Sequence, residues 1–238
     1  MAHHSRIEFI ELIELIELIT LLPIAFAQVL AFGHSDEFSF VFRKDTRLYN
    51  RRASKLTSLV VSCFTGNYVY AWPTYFPDTP LQSIPLFDGR SVLYPSEKTL
   101  RDYLSWRQVD VHVNCQYNTC YWMLMREELE KIEKIEKIEK IEGGGDVGEG
   151  LVRSRVQGML KGTLTSDKNE IMFQRGLNYN NLPAMWRRGS TVVWEEEEGE
   201  GTEGLGQRRK PKRVLRVVHD DIIKDGFWER HPWVLQSS

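Results

Sequence analysis

Val29-Leu30-Ala31-Phe32-Gly33-His34-Ser35-Asp36-Glu37-Phe38-Ser39-Phe40-Val41-Phe42 is the stretch that decides the fold. Two apolar runs flank Gly-His-Ser-Asp, the composition of two antiparallel strands joined by a tight turn. In the second run the period of two places Phe38, Phe40 and Phe42 on one face, with Ser39 and Arg43 on the other. Asp36 and Glu37 therefore sit at the tip of a hairpin whose root is anchored by aromatics. Carboxylates on a rigid tip suit magnesium, a hard cation held by one or two carboxylates plus substrate phosphates. Ser-Asp-Glu is also ordinary turn material, so the tip takes its meaning from the motifs downstream of it.

At 238 residues the chain has ample length for a buried core, in one domain or two small ones. Its hydrophobic content of 42% is that of a globular protein, and a net charge of −2 points to no partner by itself. Cys63, Cys115 and Cys120 form no CxxC pair, which predicts reduced thiols in an intracellular protein without a cysteine metal site. Upstream, residues 6–19 repeat Ile-Glu-Leu, with Glu8, Glu11, Glu14 and Glu17 every third residue. At about 100° per residue these glutamates drift by roughly 60° per repeat, so no amphipathic face forms. The apolar run 18–32 is interrupted by Thr20, Pro23 and Gln28 and is short for a membrane span. The glutamates also spoil a leader sequence, and residues 1–24 read as a low-complexity segment.

Beyond the hairpin a basic loop, 43–52, enters a helix with an apolar stripe of Leu56, Leu59, Val60 and Phe64. Arg52, Ser54 and Lys55 at a helix start suit phosphate, by charge and by the helix N-terminus. Three prolines predict loop over 72–80, and Phe87-Asp88-Gly89-Arg90-Ser91-Val92-Leu93-Tyr94 reads as a strand. Ser96 is an N-cap for a helix running through Leu124, with Trp106, Val109, Val113, Tyr117, Cys120 and Leu124 at core-face spacing. Arg107, Asn114 and Asn118 lie within roughly 40° of one another beside that stripe, while His112 points away by more than about 100°. Residues 127–142 repeat Glu-Lys-Ile with favourable i,i+4 pairs, a solvated arm stopped by Gly143-Gly144-Gly145. Helix resumes over 152–159, and Asn178-Tyr179-Asn180-Asn181-Leu182-Pro183 is turn material. Val192-Val193-Trp194 and Val214-Leu215-Arg216-Val217 read as strands bracketing a loop, 195–213, that begins acidic and ends basic.

Together these motifs resemble the eukaryotic tRNA-histidine guanylyltransferase family. The resemblance is carried by the hairpin 33–42 and by Arg51-Arg52-Ala53-Ser54-Lys55. Tyr75-Phe76, Phe87-Asp88-Gly89-Arg90, Asp102-Tyr103-Leu104-Ser105-Trp106-Arg107-Gln108 and His112-Val113-Asn114 with Tyr117-Asn118-Thr119 add to it. Gly162-Thr163-Leu164, Asp167-Lys168-Asn169-Glu170-Ile171, 178–183 and Phe227-Trp228-Glu229-Arg230-His231-Pro232 complete it. It implies an α+β fold: a palm-like (ferredoxin-like) antiparallel sheet with helices over 25–126, then a helical C-terminal part over 151–238 that contacts tRNA, with the arm 127–150 between them. The implied reaction adds a guanylate ahead of the first nucleotide of histidine tRNA. ATP activates the 5′-phosphate, the 3′-hydroxyl of GTP attacks it, and two magnesium ions assist. By the same resemblance Asp36 is a metal ligand, Ser35 and Asp36 border the nucleotide, and Glu37 supports them. Arg52, Ser54 and Lys55 match a triphosphate-binding segment, and His112, Asn114, Asn118 and Lys168 match positions tied to tRNA recognition. A homo-tetramer without membrane attachment is implied, in the cytoplasm or nucleus, with the mitochondrion left open.

One departure stands out. The family begins with a strand bearing Asp-Gly-Arg, whose aspartate is the other shared metal ligand, and here the Ile-Glu-Leu repeat stands in its place. Asp88-Gly89-Arg90 belongs to a different, downstream segment and does not substitute. The expectations are an incomplete palm sheet with one open edge and weakened catalysis. A non-catalytic tRNA-binding or oligomer-supporting relative is the alternative, and a nucleotide cyclase, suggested by Ser35-Asp36-Glu37-Phe38 alone, is opposed by the downstream motifs.

Overall fold

A computed structural model describes residues 28–139, 145–197 and 212–236. The readings of 1–24 and of the middle of the 195–213 loop lie outside the described residues. The expected hairpin is present as β1 (Gln28–His34) and β2 (Glu37–Phe42), paired antiparallel with Gly33 opposite Phe38 and Phe32 opposite Ser39. Ser35 and Asp36 make the turn, and Ser35 takes the left-handed conformation at φ 53° that a two-residue hairpin connection demands of its first residue. β3 (Ser190–Glu197) pairs with the other side of β1, and β4 (Lys212–Val218) pairs with β3. The result is a four-stranded antiparallel sheet in the order β2-β1-β3-β4. Gly189, at φ 74°, turns the chain into β3, and a Cβ there would come within 2.9 Å of the Phe32 ring. Only glycine lets the backbone approach β1 this closely.

Alternation along the strands gives the sheet two different faces. Phe38 and Phe40 point to α1 (Ala53–Tyr75), where the Phe64 ring lies 4.5 and 6.1 Å from theirs. Ser39 and Glu37 point the other way, to α2 (Glu97–Glu139). Ser96 caps α2 as expected, its Oγ accepting from Thr99 N at 3.1 Å. Three short helices and one longer one follow: α3 (Gly145–Leu160), α4 (Thr165–Phe173), α5 (Ala184–Arg188) and α6 (Asp225–Arg230).

Among the described residues 28–108, 188–197 and 212–236 form one compact unit, which holds the sheet. Residues 109–139 and 145–187 form a second, whose core is Cys120, Leu124, Met125, Val152, Val156, Leu160, Met172 and Tyr179. The division between the two units falls inside α2, and two of the four sheet strands come from the C-terminal stretch.

Several local expectations change. α1 continues through Pro73 to Tyr75, because a proline in the last turn forfeits only its own bond to the carbonyl of exposed Val69. Residues 87–94 form no strand, since no described strand pairs with them; Phe87 instead packs edge-on against Phe64 at 4.7 Å. Trp106, Val109 and Val113 are exposed, whereas Leu104, Arg107, Gln108, Val111 and Gln116 turn inward. α2 runs into the Glu-Lys-Ile stretch, and its first turns are not solvated arm: Leu129 and Ile132 pack on the second unit's core. Glu127 pairs with Arg175 at 2.8 Å, and Glu128 with Lys131 and Arg155 at 2.7 and 3.1 Å. Gly145 opens α3 instead of closing a helix, and Glu195–Glu197 and Lys212 belong to strands instead of a loop. No described helix is long and apolar enough to cross a membrane.

Candidate functional site

The hairpin tip is exposed at Ser35, Asp36 and Glu37. Buried β1 holds it from below, and the Phe38–Phe64 contact holds β2. Glu37 is not an open ligand: its Oε2 accepts from Nη2 of Arg107, an ion pair bridging 70 residues of sequence. The guanidinium also lies 5.0 Å over the Trp106 ring. Asp36, one residue earlier, carries the carboxylate that the turn presents to solvent.

The second expected element lies at the start of α1. Arg52 takes the N-cap position with extended dihedrals, no side chain caps the helix, and Arg52, Ser54 and Lys55 are all exposed. Its first turn carries no acidic residue, so the positive helix end and the two cations reinforce each other. Lys55 Nζ stands 5.2 Å over the Tyr49 ring. Arg51 is turned inward on its own loop, donating to the carbonyls of Arg43, Lys44 and Thr46 at 3.1–3.4 Å. Those bonds hold a left-handed turn through Tyr49, Asn50 and Arg51, at φ 49°, 53° and 54°.

The four residues matched to tRNA recognition all fall in the second unit. His112 Nδ1 is 2.7 Å from the Tyr179 hydroxyl. Burial, and next the Arg187 charge, hold the imidazole below its usual range. Burial, and next the neighbouring Cys115, push the Tyr179 phenol well above the usual range. Lys168 Nζ donates to the Thr163 carbonyl at 2.8 Å, closing the loop before α4. Asn114 and Asn118 are exposed, and Asn114 donates to Asp110 at 3.2 Å. Arg107 does not join them, because it is turned onto the hairpin. All three cysteines are free thiols, with burial raising each pKa.

Among the described residues no three His, Cys, Asp or Glu side chains converge as a metal site. With Glu37 drawn onto Arg107, the tip offers Asp36 as a single open carboxylate. The described donor set does not fit a two-magnesium centre. Sequence reasoning missed Tyr103, Arg107 and Gln108 as structural partners of the site. The available signal was their spacing: Tyr103 and Arg107 are one helical turn apart and face strand residues two apart.

A four-stranded antiparallel sheet with a carboxylate turn and a basic helix start is the palm-type fold used in nucleotidyl transfer. The chain belongs to the tRNA(His) guanylyltransferase family. The tRNAHis guanylyltransferase model matches residues 17–95, and that of the Thg1 C terminal domain matches 98–143 and 147–224. The probable tRNA(His) guanylyltransferase of Mus musculus is 44% identical over 218 residues, 87% of this chain and 66% of that protein. This chain thus spans just under two thirds of that relative. The crystal structure of the Saccharomyces cerevisiae tRNA(His) guanylyltransferase is 38% identical, with a TM-score of 0.62, covering 76% of this chain and 72% of that one. A bacterial guanylyltransferase-like protein in complex with ATP shares the fold, with a TM-score of 0.57 at 18% identity over 98% of this chain and 79% of that one.

Proposed function

We propose that this chain is a tRNA(His) guanylyltransferase, adding a guanylate to the 5′ end of histidine tRNA in the direction opposite to ordinary polymerases. The observation that carries the reading is the hairpin tip: Asp36 held out by a left-handed turn, beside a glutamate drawn back by Arg107. In the first step an oxygen of the tRNA 5′-phosphate attacks the α-phosphorus of ATP and pyrophosphate leaves. The 3′-hydroxyl of GTP then attacks the activated 5′-phosphorus and AMP leaves. Arg52 and Lys55, with the start of α1, neutralise triphosphate charge, and the Ser54 hydroxyl donates to a phosphate oxygen. Ser35 and Asp36 border the nucleotide.

In the second unit exposed Asn118 and Asn114 are suited to hydrogen bonds with unstacked bases, and His112 and Lys168 shape the surface around them. The working form is a homo-oligomer. The described residues alone do not form a magnesium centre. That same lone carboxylate favours a second reading, a relative that binds histidine tRNA without catalysis.

Purified chain incubated with histidine tRNA, ATP, labelled GTP and magnesium separates the two. The first reading expects 5′ label that disappears in Asp36→Ala. Tight histidine tRNA binding with no label establishes the second, and the absence of both binding and label refutes each.

A further inference from the structure

The polar face of β2 and the first turns of α2 match in spacing. Strand residues two apart share a face at about 6.6 Å, and helix residues four apart share a face at about 6 Å. Glu37 and Ser39 are such a strand pair; Tyr103 and Arg107 are such a helix pair. Both cross-contacts form, with Tyr103 and Ser39 hydroxyls 2.7 Å apart and Arg107 donating to Glu37. The helix therefore runs antiparallel to the strand, with two polar contacts in register. Tyr103 is itself braced by the Tyr94 and Trp106 rings, at 5.1 and 6.1 Å. The Arg107 side chain is only 9% exposed, while that of Glu37 is 62% exposed. Arg107 is thus the buried partner, and it holds Glu37 at the surface of the tip. A fork-shaped guanidinium fixes the direction of a carboxylate as well as its charge.

We propose that Arg107, assisted by Tyr103, is a positioning residue for the hairpin tip. By drawing Glu37 to the α2 side, it sets the first residue of β2 and so fixes the direction in which the preceding Asp36 is presented. The two outward residues of the tip then have separate tasks: Glu37 anchors and Asp36 meets the substrate. Arg107 is accordingly not one of the cations that contact tRNA phosphates. This inference rests on the guanylyl-transfer reading only for its effect on rate; the positioning itself is measurable without any activity.

The test uses the full chain with Arg107→Met, Arg107→Lys and Tyr103→Phe, followed by amide hydrogen exchange and steady-state kinetics. Arg107→Met should speed exchange across 33–40 by about tenfold or more, while peptides from 56–70 in α1 keep wild-type protection. It should lower kcat by about 10- to 100-fold with the KM for GTP within about twofold, and Arg107→Lys should restore part of both effects. Should Arg107→Met fail to fold, Tyr103→Phe, which loses one hydroxyl contact, should show the same local loosening in smaller measure. Unchanged exchange at 33–40 overturns the proposal. So does a loss of protection spread evenly over the sheet unit, or a tRNA-binding salt slope reduced by about one in Arg107→Met, the mark of a phosphate contact. If the wild-type chain transfers no guanylate, the exchange result still decides the positioning role, and only the kinetic consequence falls.

Discussion

Replacing Gln108 by alanine removes three hydrogen bonds from one buried point of the sheet unit. The side chain is 3% exposed, and its Nε2 donates to the carbonyls of Arg188 at 2.9 Å and Asp220 at 2.8 Å. Its Oε1 accepts from Ile222 N at 2.9 Å. One amide thereby ties α2 to the end of α5 and to the segment after β4. Arg188 and Asp220 are half-buried, so water can take over their carbonyls and each lost bond should cost about 1 kcal/mol. Ile222 is wholly buried, and leaving its N–H without a partner should cost about 2–3 kcal/mol. The sum is about 4–5 kcal/mol, or a fall in Tm of about 10–15 °C for a protein of this size. Urea unfolding with an unchanged m-value, checked by calorimetry, measures it. Gln108→Met keeps most of the volume and none of the polarity, so it should lose nearly as much. A loss below about 1.5 kcal/mol in both variants would show that solvent replaces the amide at all three partners and would refute the reasoning.

Stability should have an acid and an alkaline limb that report on the His112–Tyr179 pair. His112 is held below its ordinary 6.5, so the unfolded chain takes up the proton first and the stabilisation present above that pH is lost on acidification. Tyr179 is raised above its ordinary 10.0, so its contribution is full below that pH and lost as pH rises past it. His112→Gln should flatten the acid limb and Tyr179→Phe the alkaline one in pH-dependent urea midpoints; unaltered limbs would rule the pair out as their source. Replacing 128–149 by a Gly/Ser linker should destabilise the second unit by about 2 kcal/mol or more, because Leu129 and Ile132 leave its core. An unchanged Tm would show that these contacts contribute nothing. In gel shifts against histidine tRNA and a second tRNA, Asn118→Ala should erode the preference more than total binding, and Lys55→Ala the reverse. Equal losses on both tRNAs for Asn118→Ala would leave that residue as plain helix surface.

The hairpin was legible in the sequence because its signal is local. A period of two fixes which side chains share a face, and a two-residue turn fixes the register, so the placing of Asp36 and Glu37 comes from fourteen consecutive residues. The Ser96 cap and the strands at 192–194 and 214–217 were legible for the same reason. Other features needed the tertiary structure, because each depends on a partner distant in sequence. Residues 87–94 have strand composition, but a strand exists only where a neighbour completes the ladder, and no described strand does so. Which face of α2 is core could not be read from hydrophobicity. Trp106, Val109 and Val113 remain exposed, while Arg107, Gln108 and Gln116 are buried because Glu37, the Ile222 backbone and Asn169 satisfy them. The Glu-Lys-Ile repeat reads as a solvated helix from composition, yet its opening turns pack on the second unit because Arg155 and Arg175 neutralise their glutamates. Sequence by itself determined the family, the hairpin and the residues at its tip. Tertiary structure alone decided that Glu37 is an anchored carboxylate and Asp36 an open one, since burying a guanidinium beside the turn requires a contact 70 residues away in the chain.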